Sequence, residues 1–106
     1  MSKTVRAGSL LFLAGQTSSG APHARTIEEQ ASEALARIDA LLEQAGSSKQ
    51  QVLSVTIYLK DIALFDRMNA VWQGWIDPEH LPARCTVQAT LGLPELLVEF
   101  SVIAAA

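Results

Sequence analysis

The sequence predicts an α+β fold, with one mixed sheet and two helices packed on the same face. Three observations carry this expectation. The elements read in the order β-β-α-β-α-β-β, both helical stretches are amphipathic, and each helix lies between two strand-like segments. A strand–helix–strand connection within one sheet is right-handed, so two such connections lay both helices on one side. The other side is left uncovered within the chain, with Ser54, Thr56, Gln88 and Ser101 among its expected residues.

Residues 3–8 and 10–16 read as two short strands that turn at Gly8-Ser9. Thr17 to Arg25 is rich in Ser, Gly and Pro and reads as a loop. Thr26 opens the first helix: Glu29, three residues on, completes a capping box, and two acids in the first turn suit the helix dipole. Behind that cap, Ile27, Ala31, Ala34, Leu35, Ile38, Leu41, Leu42 and Ala45 form one apolar stripe. Gly46 stops the helix as its C′ residue. Val52 to Lys60 reads as a strand, with Leu53, Val55, Ile57 and Leu59 on one face and Val52, Ser54, Thr56 and Tyr58 on the other. A second helix follows Asp61, with Phe65, Met68, Trp72, Trp75 and Ile76 at helical spacing and Pro78 and Pro82 bracketing its exit. Strands at Arg84–Thr90 and Leu97–Ala105, joined by a turn over residues 91–95, complete the order.

A chain of 106 residues fits one domain, residues 1–106. Apolar residues make up 49% and charged residues 18%, which points to a folded globule with more apolar surface than a small monomer easily hides. An oligomer is expected on that ground, and a second copy is the favoured cover for the open sheet face. The net charge is -3 and the eight basic residues are scattered, so nucleic acid is not an expected partner. Cys85 is the one cysteine and His23 and His80 lie far apart, so neither a disulfide nor a metal site is expected. The apolar run Leu10 to Ala14 is too short for a membrane span or a signal segment, and a cytoplasmic protein is the expectation.

Two charges stand out in the last strands. Arg84 begins an otherwise uncharged strand, and Glu99, fifteen residues on, interrupts an apolar one. Such groups are rarely buried unless paired. They read either as a structural ion pair, or as charges on a wet strand edge, or as a working pair. In the last case the planar Arg84 guanidinium grips a substrate carboxylate and Glu99 serves as an acid/base or water-holding group. Residue types leave all three readings open. Trp72 and Trp75, three residues apart, read as core or subunit packing, and Tyr58 as a residue able to reach an interface cleft.

The segment Pro82-Ala83-Arg84-Cys85-Thr86-Val87, followed after a turn by Val98-Glu99-Phe100, resembles the C-terminal signature of the RidA (YjgF/YER057c/UK114) family. The stretch AGSLLFLAGQ resembles that family's N-terminal strand, and VTIYLKDIALFDRMNAVWQGWI its middle strand, Lys-Asp turn and helix. The resemblance covers nearly the whole chain in the right order. It implies a chorismate-mutase-like fold assembled as a homotrimer with sites at the subunit interfaces. It further implies hydrolysis of reactive 2-imino acids, released by pyridoxal-phosphate enzymes, to 2-keto acids and ammonia, without metal or organic cofactor. By that resemblance Arg84 binds the substrate carboxylate and Glu99 positions the attacking water. Gly15 lines the site with its backbone, Asn69 belongs to it from the second helix, and Cys85 and Thr86 flank the arginine. Two departures bear on the substrate. The tyrosine that closes over substrate in family enzymes would fall on Met1, and the stretch between Asn69 and Arg84 is two residues shorter. A small carboxylate-binding or chaperone-like trimer without efficient turnover is the competing expectation.

Overall fold

The computed structural model describes residues 1–106. Its strands are β1 (Thr4–Ala7), β2 (Leu10–Leu13), β3 (Val52–Leu59), β4 (Ala83–Gln88) and β5 (Val98–Ala105), and its helices are α1 (Ile27–Gln44) and α2 (Phe65–Trp75). Short 3-10 turns at Lys49–Gln51 and Ile62–Leu64 lead into β3 and α2. The strands form one sheet in the order β1-β2-β5-β3-β4. β3 and β4 pair in parallel and every other pair is antiparallel, so the sheet is mixed. A parallel pair requires a crossover, and α2 supplies it. The last strand, β5, therefore lies inside the sheet, and β4 is left at an edge.

Local chemistry fixes the element ends. Gly8 takes φ 59° in the two-residue turn between β1 and β2, where a left-handed residue matches the twist of the strands. At the start of α1, the Glu29 amide donates to Thr26 Oγ1 at 3.1 Å and the Thr26 amide donates to Glu29 Oε1 at 3.0 Å. At its end Gly46 (φ 76°) donates to the Glu43 carbonyl and Ser47 to the Leu42 carbonyl, at 3.0 and 2.8 Å. These two bonds make a complete Schellman cap. Both helices lie on one face of the sheet over a cluster that includes Leu35, Ile38, Met68, Trp72, Val55, Ile57 and Phe100. Arg67 on α2 clamps Glu28 on α1 with bonds of 2.8 and 2.7 Å. That clamp holds the Glu28 carboxyl down at about 2, from an ordinary 4.5.

Four expectations need correction. The first strands are shorter than 3–8 and 10–16, with Gln16 rejoining the sheet through a single bridge to Phe100. β4 and β5 are shorter too, ending at Gln88 and starting at Val98. A β-bulge between Val52 and Ser54 exchanges the expected faces of two residues: Val52 is buried and Leu53 is exposed. Gln88 pairs with the buried Leu59 and so points to the helix side, where its Oε1 accepts from the Ile62 amide at 2.9 Å. Ser54, Thr56 and Ser101 do lie on the open face, alongside an apolar set. Val5, Leu10 and Phe12 share that face through the pairs Val5–Phe12, Leu10–Ala105 and Phe12–Ile103. No helix is long and apolar enough to cross a membrane.

Candidate functional site

Arg84 sits on the edge strand β4 and pairs in register with Val55, a core residue, so its side chain turns toward the helices. There its Nη1 donates to Asn69 Oδ1 at 2.5 Å. Its Cζ lies 5.5 Å from the ring centroids of both Phe65 and Trp72. These three partners are spaced i, i+4 and i+7 along α2, which puts them on one helix face. Arg84 is half-buried and forms no ion pair with any carboxylate. Thr86 is two residues along and on the same face of β4, paired with Ile57. Its Oγ1 is buried without a hydrogen-bond partner. An unsatisfied buried hydroxyl costs on the order of 1–3 kcal/mol.

Glu99 occupies the opposite face. It alternates with the core residues Val98 and Phe100 on β5 and pairs with Tyr58. Its carboxylate lies against the backbone of Gly15, where a Cβ added to Gly15 would stand 2.5 Å from Glu99 Oε2. Only a glycine leaves this carboxylate its place. Glu99 also forms no ion pair. Cys85 pairs with Thr56 and is exposed on this same open face, away from Arg84.

The six expected site residues thus fall into two groups. Arg84, Asn69 and Thr86 come together at the helix-side edge, and Glu99 and Gly15 come together on the open face, which Cys85 shares. The Arg84 row runs Arg84–Val55–Val102, and Glu99 lies three residues from Val102 along β5. Their backbone positions are therefore ~9.6 Å apart across the sheet and ~10 Å along it, and their side chains point to opposite sides. Within one chain this placement leaves no direct Arg84–Glu99 ion pair. Trp72, expected in core or subunit packing, and Phe65, expected only on the apolar spacing of the helix, both face the guanidinium; the Phe65–Asn69–Trp72 spacing places them on one stripe with Asn69.

Other features stand apart from these groups. A cavity of about 490 Å³ is lined by the loop Ser18–Pro22 together with Ala24, Arg25, Gln30 and Glu95–Leu96, and none of the six residues reaches it. The Trp75 indole donates to Asp39 Oδ2 at 2.8 Å, a tie between the two helices. No group of three or more His, Cys, Asp or Glu side chains is placed to hold a metal ion.

Comparison with known proteins extends the pattern. The sequence profile of the Endoribonuclease L-PSP family matches residues 1–106. A RutC family protein of Pyrococcus horikoshii is 36% identical over 107 residues, covering 97% of this chain and 84% of its own. The RutC family protein YoaB of Escherichia coli is 47% identical over 77 residues, covering 73% of this chain and 68% of its own. Among solved structures, a YjgF-family protein of Neisseria meningitidis superposes with a TM-score of 0.93 at 38% identity, over 99% of this chain and 86% of that one. A YjgF/YER057c/UK114-family protein of Mycobacterium tuberculosis gives a TM-score of 0.89 at 33% identity, over 100% and 86%.

Proposed function

The chain belongs to the Endoribonuclease L-PSP family, the YjgF/RidA/UK114 group, and on that premise we propose that it hydrolyses 2-imino acids to 2-keto acids and ammonia. The observation that carries this reading is Arg84, a half-buried guanidinium held by neutral groups and left without a counter-ion. A planar carboxylate is the ligand that such a fork takes best. Thr86 Oγ1, orphaned on the same strand face, supplies a hydrogen bond to the atom beside that carboxylate. Glu99 supports the chemistry by holding a water and taking its proton as the oxygen attacks the imine carbon. The C=N bond becomes single and its nitrogen takes the proton that Glu99 received from the water. The resulting carbinolamine passes its hydroxyl proton to the nitrogen by way of Glu99, and the C–N bond breaks as the C=O forms, releasing ammonia and leaving the keto acid. The residues ask for no metal and no organic cofactor.

The functional unit we propose is a homotrimer of the chorismate-mutase-like kind, acting in the cytoplasm. Two features support it. Val5, Leu10 and Phe12 leave an apolar open face that a second copy would cover, and Arg84 and Glu99 serve one ligand only when different copies contribute them. Light scattering should then return about three times the chain mass of 11.4 kDa. A monomer mass would remove both the trimer and the shared site.

Turnover is tested by generating 2-iminobutanoate or 2-iminopropanoate in situ and following its loss with and without protein. Accelerated loss supports the deaminase. Binding of 2-oxobutanoate without accelerated loss would instead leave a carboxylate-binding trimer, a reading favoured by the separation of Glu99 from Arg84 within one chain. Endoribonuclease action finds little support in a chain of net charge -3 with scattered cations. Salt-sensitive RNA binding is not expected at physiological ionic strength.

A further inference from the structure

A half-buried arginine is ordinarily fixed by an acid, which also cancels its charge. Arg84 is fixed differently. The rings of Phe65 and Trp72 each stand 5.5 Å from its Cζ, within the range where a ring face attracts a cation. Asn69 adds a neutral acceptor. Trp72 is itself held firmly: it is buried and stacks on Phe100 with centroids 6.5 Å apart and planes 8° from parallel. Phe65, the first residue of α2, is half-buried and faces the guanidinium from the start of the helix.

We infer that Phe65 and Trp72 are positioning residues of the anion site, their ring faces anchoring Arg84 in place of a counter-ion and leaving its charge free for a ligand carboxylate. The inference rests on Arg84 being a carboxylate receptor, and it extends that reading to two residues that act through the arginine. Its consequence is specific. Ring faces matter at these positions, and apolar volume alone does not suffice.

Phe65 is the residue to test, because it is less buried than Trp72 and tolerates replacement better. Phe65→Leu removes the ring, Phe65→Tyr keeps it, and Ile38→Val on α1 serves as a core substitution outside the cradle. Two quantities are read for each: the ¹⁵N–¹H resonance of Arg84 Nε in the ligand-free protein, and the calorimetric Kd for 2-oxobutanoate. Phe65→Leu should move the Nε resonance toward that of a free arginine and raise Kd about 3- to 10-fold. Phe65→Tyr should keep both near wild type, and Ile38→Val should lower Tm without changing Kd. An Nε resonance unmoved by Phe65→Leu overturns the inference, as does an equal loss of affinity in the leucine and tyrosine variants. A wild-type protein that binds no carboxylate, with an Nε resonance that still depends on the ring, supports the positioning role and removes the receptor reading instead.

Discussion

On the helix-covered side, Arg84 is held by three groups of α2 belonging to its own chain, whereas on the open side Glu99 rests on the bare backbone of Gly15. The first arrangement is complete within one chain. Packing between α2 and β4 sets the guanidinium, and every holding group is neutral. The second arrangement has space around it: Tyr58, Ser101 and Cys85 share its face, and no helix covers them. The contrast fits the proposed shared site, in which one half is preset by folding and the other half is left to assembly. A preset cation requires little reorganisation when its ligand arrives. A half-buried carboxylate such as Glu99 becomes a stronger base once a neighbour encloses it and raises the strength of its interactions.

The comparison breaks most visibly at the preset half. Arg84→Ala should lower kcat/KM about 30- to 1000-fold, the loss of a charge-assisted fork worth ~2–4 kcal/mol, while the oligomer persists. Sizing and steady-state kinetics on the same preparation check this. At the open half, Glu99→Gln keeps shape and removes the base, so turnover should fall about 100-fold while the Kd for 2-oxobutanoate stays near wild type. A parallel loss of affinity would mean that Glu99 helps to hold the ligand. Gly15→Ala sharpens the point, because its methyl would stand where Glu99 Oε2 now lies. A displaced carboxylate should cost roughly 10-fold or more in kcat, with binding at Arg84 retained. The smallest effect lies outside both halves. Glu28 has its pKa depressed to about 2 by the Arg67 clamp. Its contribution to stability is therefore present above about pH 4.5 and fades as pH falls toward 2. Urea midpoints at pH 5 and pH 2.5 should differ by slightly less in Arg67→Ala than in wild type, because the clamp is exposed.

Much of this architecture was readable where local chemistry decides it. Thr26, Glu29 and Gly46 fix α1 through bonds within the element itself, and those bonds form as the residue types imply. Long-range choices were less readable. The order β1-β2-β5-β3-β4 depends on which strands bury each other, a choice that single-strand patterns do not contain. The bulge at Val52–Ser54 shifts the alternation by one residue, so a strict period of two misplaced Val52 and Leu53. Gln30 escaped notice because a polar residue on the apolar stripe gives no signal of its partners. It is buried, and its amide joins the Glu95 carbonyl to the Leu97 amide at 3.0 and 2.7 Å. For the candidate site, sequence singles out Arg84 and Glu99 but not their opposite faces. Strand alternation placed each residue on its own strand, and only the pairing of β4 with β3 and β3 with β5 relates the two.

The central claim, that one chain supplies Arg84 and another supplies Glu99, is tested most directly by mixing two inactive proteins. Arg84→Ala and Glu99→Gln subunits are unfolded together, refolded at equal ratio and assayed for imine hydrolysis. In a ring of subunits with head-to-tail interfaces, each interface pairs an intact Arg84 with an intact Glu99 about one time in four. The expected result is recovery to roughly a quarter of wild-type activity, from parents that are each nearly inactive. Activity that stays at the level of the parents, in a mixture shown by mass spectrometry to contain mixed trimers, would contradict the claim.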